Sequence, residues 1–491
     1  MEIDNWSHAE TLSGRIAASP SLLLHEEILK PQFDYELEHL LPYYIQIEKV
    51  MTIEYERLGL ISKESMIEII NLLNQITKES IAADPKSNMS DICFAIEQYV
   101  EYRLEHPVAN WHVDRSRNDV QATAQLMFAR KNLVDIMEEM TVLIEEVMAL
   151  SSENLSVPMP GYTHYQSAQI ITVGFYITAI SEVLQKTLNR MIRIYDEINK
   201  CPLGSGAMSG MELKWDRNEM ATKLGFSQAS SHALISVASK EWMLHIAAEC
   251  SNCAATLSRF VTDIITWGSS EYKFFVLPDE MSGISSAMPQ KKNYPILERI
   301  RGRTVHINSY YHDMLNAQRN TPFTNLVETA KEGGSNFYPM VTCMKSVLRL
   351  FTAVIKEMKF NKKRMYDMCA NDFFGGFSLA NLLTLQCSIP YRQSQIISGK
   401  YIVAMHEQNR KPIEVDTSFL NEVCKESGYK SSLTDDQLVE VFSVTESLSR
   451  KNTQGSTNPN EIKQVIDQQK AILEEQKKQV SDLIMNVINK R

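Results

Sequence analysis

The chain has 491 residues, of which only 18 are glycine and 16 proline, where these two together usually make up about 12%. So few turn-formers argue against sandwiches, barrels or propellers of short strands and for long helices, while 44% hydrophobic and 22% charged residues describe a chain able to bury a large core rather than a disordered one. The net charge of −10 comes without a long basic run, so nucleic-acid binding through a basic patch is not expected.

The opening MEIDNWSHAE has no basic stretch followed by an apolar one, so no secretory leader is expected. No window of about 18 residues is uninterruptedly apolar, and no membrane span is expected. The next hundred residues carry mixed helical patterns, with a helix opening at Ser62 and Glu64 in its first turn. Residues 119–155 contain neither glycine nor proline, and Val120, Ala124, Met127, Leu133, Ile136, Met140, Ile144 and Met148 recur mostly every three or four positions. That predicts one amphipathic helix of roughly 50 Å. Further long helices are predicted over 167–198, with only Gly174 inside, and over 244–268 and 296–320. Helices this long pack side by side as a bundle. The tail, 461–491, repeats Ile462, Val465, Ile466, Ile472, Leu473, Val480, Leu483 and Val487 as a packing face. Eight scattered cysteines read as reduced thiols of a cytoplasmic protein. Cys250 and Cys253 have half the spacing of a zinc site, but no second pair accompanies them, so they read as core residues.

Three loops hold the unusual sequence: WHVDRSRND (111–119), MPGYTHYQSAQ (159–169) and SGISSAMPQKKNYP (282–295). The third collects hydroxyls, lysines and an amide near Gly283, groups that bind anions on a mobile lid. It reads equally as a cationic surface loop. In the second, Thr163 and His164 are placed just before the long helix predicted from 167, whose N-terminus would attract an anion; a cap and a bystander histidine fit too. In the first, Ser116 and Asn118 are cap or anion ligands, and Arg115 and Arg117 also fit structural ion pairs. No nucleotide-binding glycine loop, metal cluster or serine-hydrolase elbow occurs, and no cofactor or metal is expected.

Together, in this order, the loops resemble the fumarase/aspartase superfamily, and within it argininosuccinate lyases. Its SRND motif stands as Ser116-Arg117-Asn118-Asp119, its GYTHxQ motif as Gly161 to Gln166, and its GSSxMPxKxN signature as Ile284 to Asn293. Pro202 to Ala207, Ile389 to Gln393 and Ser398 to Lys400 match further. The resemblance implies an all-α fold: a long central helix bundle (114–365) between N-terminal (1–113) and C-terminal (366–491) helical domains. It also implies a homotetramer whose active sites draw loops from three subunits. The reaction implied is elimination of fumarate from an N-succinyl amine or amino acid. In the catalytic roles it places Ser285 as general base, Lys291 on the carboxylate, His164 near the leaving nitrogen and Glu298 as that histidine's acidic partner. In substrate binding it places Ser116, Arg117, Asn118, Thr163, Ser286, Met288 and Asn293.

Isoleucine stands at 284 where the superfamily has glycine, and a β-branched residue does not take positive φ cheaply, so this loop's hinge is expected to differ. The arginine-facing run of argininosuccinate lyases has lost its tyrosine and glutamine in the stretch Thr321 to Lys331, and an N-terminal asparagine–alanine–serine contact is absent near Lys30-Pro31-Gln32. Groups facing fumarate are kept and those facing the guanidino half are not. Argininosuccinate stays the default substrate, with an N-substituted aspartate of another amine, such as a diamine-disuccinate, as the alternative. A non-catalytic scaffold of crystallin type is the alternative of another class; Ser285, His164, Lys291 and Asn293 occurring together argue against it.

Overall fold

The computed structural model describes residues 15, 16 and 18–488; the opening decapeptide and residues 489–491 of the tail lie outside them. The N-terminal region builds α1 (Lys30–His39) and α2 (Leu41–Arg57). They part at Leu40 because Pro42, in the first turn of α2, has no N–H to carry α1 onward. α3 (Lys63–Gln75) opens on Ser62, whose hydroxyl accepts from Ser65 N at 3.1 Å. α4 (Ile92–Glu101) opens on Asp91, which accepts from Cys93 N at 2.9 Å.

α5 (Arg117–Glu153) is the expected long helix, 37 residues and so about 55 Å. The helix expected from 167 is shorter at its start. Residues β1 (Pro158–Thr163) and β2 (Gln166–Thr172) form an antiparallel hairpin, and α6 (Val173–Ile198) begins only after it. The β-branched run Ile170-Ile171-Thr172 suits a pleated ladder better than a first helical turn. Thr172 then caps α6, its hydroxyl accepting from Phe175 N at 3.1 Å. α7 (Glu241–Trp267) follows. A small hairpin of β3 (Gly283–Ile284) and β4 (Lys292–Asn293) leads into α8 (Pro295–Gln318), and then α9 (Phe337–Glu357). The C-terminal helices include α10 (Tyr391–Glu407), and the tail is α11 (Pro459–Ile488). Among the described residues the strands form only two-stranded pairs.

The chain runs up α5, back down α6, up α7 and back down α8, with α9 packed on α5 and α8. One apolar core extends from Phe33 to Met365, through the segments 1–113 and 114–365 alike, and takes in Leu473 and Val480 of α11. A second core spans Phe373 to Phe442. The tail helix thus leaves the second core and lies on α5 and α6. Its buried Gln469 donates to Thr178 O at 3.2 Å, and its buried Gln476 to Gln185 O at 2.9 Å. Cys250 and Cys253 are buried in α7, where burial pushes the Cys253 thiol up to about 12. The helical stretch Val327–Glu357 is apolar enough by composition to cross a membrane; here Met340, Met344, Leu348 and Phe351 are buried in the bundle.

Candidate active site

The bundle's antiparallel course sorts the three loops between its two ends. The turn carrying Ser116 lies at the start of α5. Ser116 caps the helix by accepting from Asn118 N at 3.2 Å. Asn118 Nδ2 donates to Ala207 O at 3.1 Å, and buried Asp119 accepts from Gly204 N at 2.8 Å and Gly206 N at 3.0 Å. The PLGSGA stretch that follows α6 is therefore tied to the SRND turn, and two motifs distant in sequence form one unit. Arg117 is ion-paired to Asp91 at 2.5 Å, its guanidinium 4.4 Å from the Phe94 ring centroid.

At the other end, where α5 meets α6, Ser151 Oγ donates to Gly174 O at 2.9 Å. The β1–β2 hairpin projects from here. His164 and Tyr165 form its turn with φ of 53° and 62°, and Thr163 and His164 are exposed. The anion-attracting helix start expected beside them is not there, because β2 stands between them and α6. The end of α7 reaches the same place: Trp267 stacks edge-on against Tyr176 at 4.5 Å, and Tyr272 against Tyr162 at 5.7 Å. The signature loop therefore hangs at the hairpin end.

That loop is a hairpin too. Gly283 pairs with Asn293 and Ile284 with Lys292. Ile284 sits in extended backbone, so the expected conformational conflict does not arise: the φ demand is absent, and its side chain is 93% exposed. The glycine that matters is Gly283, where an added Cβ would lie 2.7 Å from Cγ of Pro295. Ser285 Oγ accepts from Met288 N at 3.0 Å, which shapes the tip. Lys292 is spent on structure, donating to Leu277 O and to Asp279, both at 2.7 Å. Ser286, Met288 and Lys291 are exposed. Glu298 is exposed in the first turn of α8; within the described chain no hydrogen bond joins it to His164.

One chain thus brings Thr163, His164, Ser285, Lys291, Asn293 and Glu298 to one end, and Ser116, Arg117 and Asn118 to the other, with the whole of α5 between. Beside the Ser116 turn lies a cavity of about 330 Å³ lined by Tyr35, Glu36, Phe128, Trp242, Lys331 and Phe337, among others. Lys331 is ion-paired to Glu36 inside it. Burial pushes Glu36 up, and the Lys331 charge opposes this. Lys240 is buried nearby, its ammonium brought down to about 8 by burial and then by the charge of Lys331. Gln125 of α5 donates to Ala330 O at 2.9 Å, which holds the segment after α8 against this wall. No reading of single motifs could find this cavity, because its residues come from four separate stretches of chain.

Comparison with known proteins agrees with this architecture. Residues 35–308 match the family model described as Lyase. An argininosuccinate lyase of Lachnospira eligens is 30% identical over 412 residues, covering 83% of this chain and 88% of the relative. EDDS lyase solved with formate superposes with a TM-score of 0.84 at 23% identity, covering 97% of this chain and 95% of that one. The class II fumarase of Schistosoma mansoni superposes with a TM-score of 0.70 at 16% identity, covering 85% and 92%. A helix bundle with its motif loops at the helix ends, and a family match over more than half its length, make this chain a member of that lyase family within the fumarase/aspartase superfamily.

Proposed function

We propose that this chain breaks the Cα–N bond of an N-substituted aspartate and releases fumarate, reversibly, with argininosuccinate as the default substrate. The hard step is removal of a weakly acidic Cβ proton. It needs a base at Cβ and fixed positive charge on the neighbouring carboxylate, which takes up the developing charge as an aci-carboxylate. The observation that carries the reading is the composition of the β3–β4 hairpin. Ser285, Lys291 and Asn293 share it, and of its two lysines it is Lys292 that is tied down, to Asp279 and Leu277. Lys291 is thereby left to meet a carboxylate, with Asn293 beside it and Ser285 as the base. Thr163, Ser116 and Asn118 bind the succinyl part, and His164 serves the leaving nitrogen.

The placement of these loops at opposite ends of the bundle supports a site assembled from more than one chain. The 37 residues of α5, about 55 Å of helix, separate the Ser116 turn from the hairpin that carries Thr163. The loops therefore meet between copies, in a homotetramer with shared active sites. The scattered free cysteines fit a reducing compartment, the cytoplasm.

A second reading keeps the reaction and changes the amine. It is favoured by the cavity beside the Ser116 turn, whose walls are Phe128, Trp242 and Phe337 and whose Lys331 is already paired with Glu36. One experiment addresses both readings: a panel of N-succinyl amines and amino acids is followed by the ultraviolet absorbance of fumarate, with Ser285→Ala as control. Fumarate from no compound sinks the lyase reading. Fumarate from other compounds but not from argininosuccinate selects the second. Ser285→Ala should lower the rate by about 10²–10⁴-fold, the usual worth of a positioned base.

A further inference from the structure

Between α6 and the short helix Arg217–Lys223 the chain makes the loop Pro202-Leu203-Gly204-Ser205-Gly206-Ala207. Residues 202–206 are buried, and Ala207 comes to the surface, where its carbonyl accepts from Asn118 Nδ2. A buried loop has no water to satisfy its backbone, so its peptide groups need partners from the protein. Asp119 serves one side of it, accepting from the N–H groups of Gly204 and Gly206. The carbonyl side needs donors, and one side chain supplies them. Arg217 Nε donates to Leu203 O at 3.0 Å, and its Nη2 donates to Ser205 Oγ at 2.9 Å and more weakly to Pro202 O at 3.5 Å.

Among the described residues the hydrogen bonds of this guanidinium all go to the loop. Its stem lies directly over Gly204, where an added Cβ would be 2.8 Å from Arg217 Cγ, and Gly204 has a φ of 83° besides. Both demands call for glycine at that position. Ser205, next along the chain, is wholly buried with its hydroxyl on the guanidinium. A guanidinium is a rigid planar fork, so two of its N–H bonds fix an orientation as well as a position. Ala207 O is the last link. An amide side chain has a donor end and an acceptor end. By accepting from Nδ2, Ala207 O decides which way the Asn118 amide faces, and leaves its oxygen and second N–H for another partner.

We propose that Arg217 is a positioning residue for substrate binding. With Asp119 gripping the opposite side, it fixes the 202–207 loop so that Ala207 O holds the Asn118 amide in the orientation that meets the succinyl half. This rests on the lyase reading above. The guanidinium is spent on the loop and acts on the substrate only through Asn118.

The test uses the full-length protein with Arg217→Ala and with Arg217→Lys. Lysine keeps the charge but not the fork. Arg217→Ala should raise KM about tenfold and Arg217→Lys about threefold, each with a smaller change in kcat. Both should lose amide-exchange protection at Gly204 and Gly206. A second arm combines Arg217→Ala with Asn118→Ala and reads the dissociation constant of fumarate by calorimetry. Each single variant should weaken binding, and the double variant should bind no more weakly than Asn118→Ala alone, because both losses run through one amide. Additive losses overturn the proposal. A folded Arg217→Ala with wild-type KM overturns it too, and if that variant does not fold, Arg217→Lys with wild-type KM does so. Unchanged exchange in the folded variants also overturns it. The exchange arm reads the hold of Arg217 on the loop even where no fumarate is released, so the failure of the lyase reading is separately visible.

Discussion

Asp119 sits wholly buried at the first turn of α5, and its carboxylate joins the SRND turn to Gly204 and Gly206. Burial raises it, the N–H groups of Gly206 and Gly204 oppose this, and the result is about 6. A native carboxyl above its unfolded value binds its proton more tightly when folded. The stability it contributes is present in acid and lost as pH rises through about 4 to 6, roughly 2–3 kcal/mol in all. Asp119→Asn is neutral throughout, so the gap in melting temperature between wild type and variant should change across that window, with wild type losing ground towards neutrality. A constant gap would show Asp119 ionised throughout. At Gly283 the constraint is space. Gly283→Ala forces its Cβ against the Pro295 ring. It should lower fumarate release about tenfold or more by displacing Ser285 and Lys291, while stability falls by about 1–3 kcal/mol, the usual cost of overpacking.

At the scale of elements, the hairpin end depends on a close helix crossing. Gly174, in the first turn of α6, allows the end of α5 to approach so closely that an added Cβ would be 2.8 Å from Leu155 Cα and 3.0 Å from Ser151 O. Both are backbone atoms and cannot rotate away. Gly174→Ala should therefore cost about 1–3 kcal/mol in denaturant unfolding, although alanine is the better helix former by about 1 kcal/mol. A neutral or stabilising result would show that α6 can slide. The β1–β2 hairpin is the element that periodicity misread. Its apolar residues are compatible with a helix, and only the cross-strand pairing of Gly161 with Gln169 and of Pro160 with Ile170 decides for strands. The tail helix packs through Ile462, Ile466, Leu473 and Val480 as expected, while Ile472 is exposed and the side chain of Val487 lies outside the described residues; its partners were not legible. Gln469 and Gln476 look like surface residues by type, yet both are buried where they bond α6.

For the whole molecule, the length of α5 makes a shared site testable. Ser285→Ala and Asn118→Leu lie at opposite ends of one chain, so each variant alone should be inactive. Co-expressed and assembled together, some mixed sites draw Ser285 from one copy and Asn118 from another, and fumarate release should rise well above either parent. No recovery in mixed assemblies of the two would sink the shared site.

By itself the sequence determined the class and the chemistry. Scarce glycine and proline, with apolar residues every three or four positions, determine long helices, because that spacing buries one face of a 3.6-residue turn. The residue types of the three loops determine what they can bind. What only the tertiary structure decided is where those loops stand. Helix direction and packing put Ser285 with Thr163 and send Ser116 to the far end of α5. They also gather Glu48, His112 and Arg115, with the half-buried Glu97 beside them, from separate stretches into one cluster. Local patterns cannot carry that information, because a buried charge is tolerated only where distant residues converge to neutralise it.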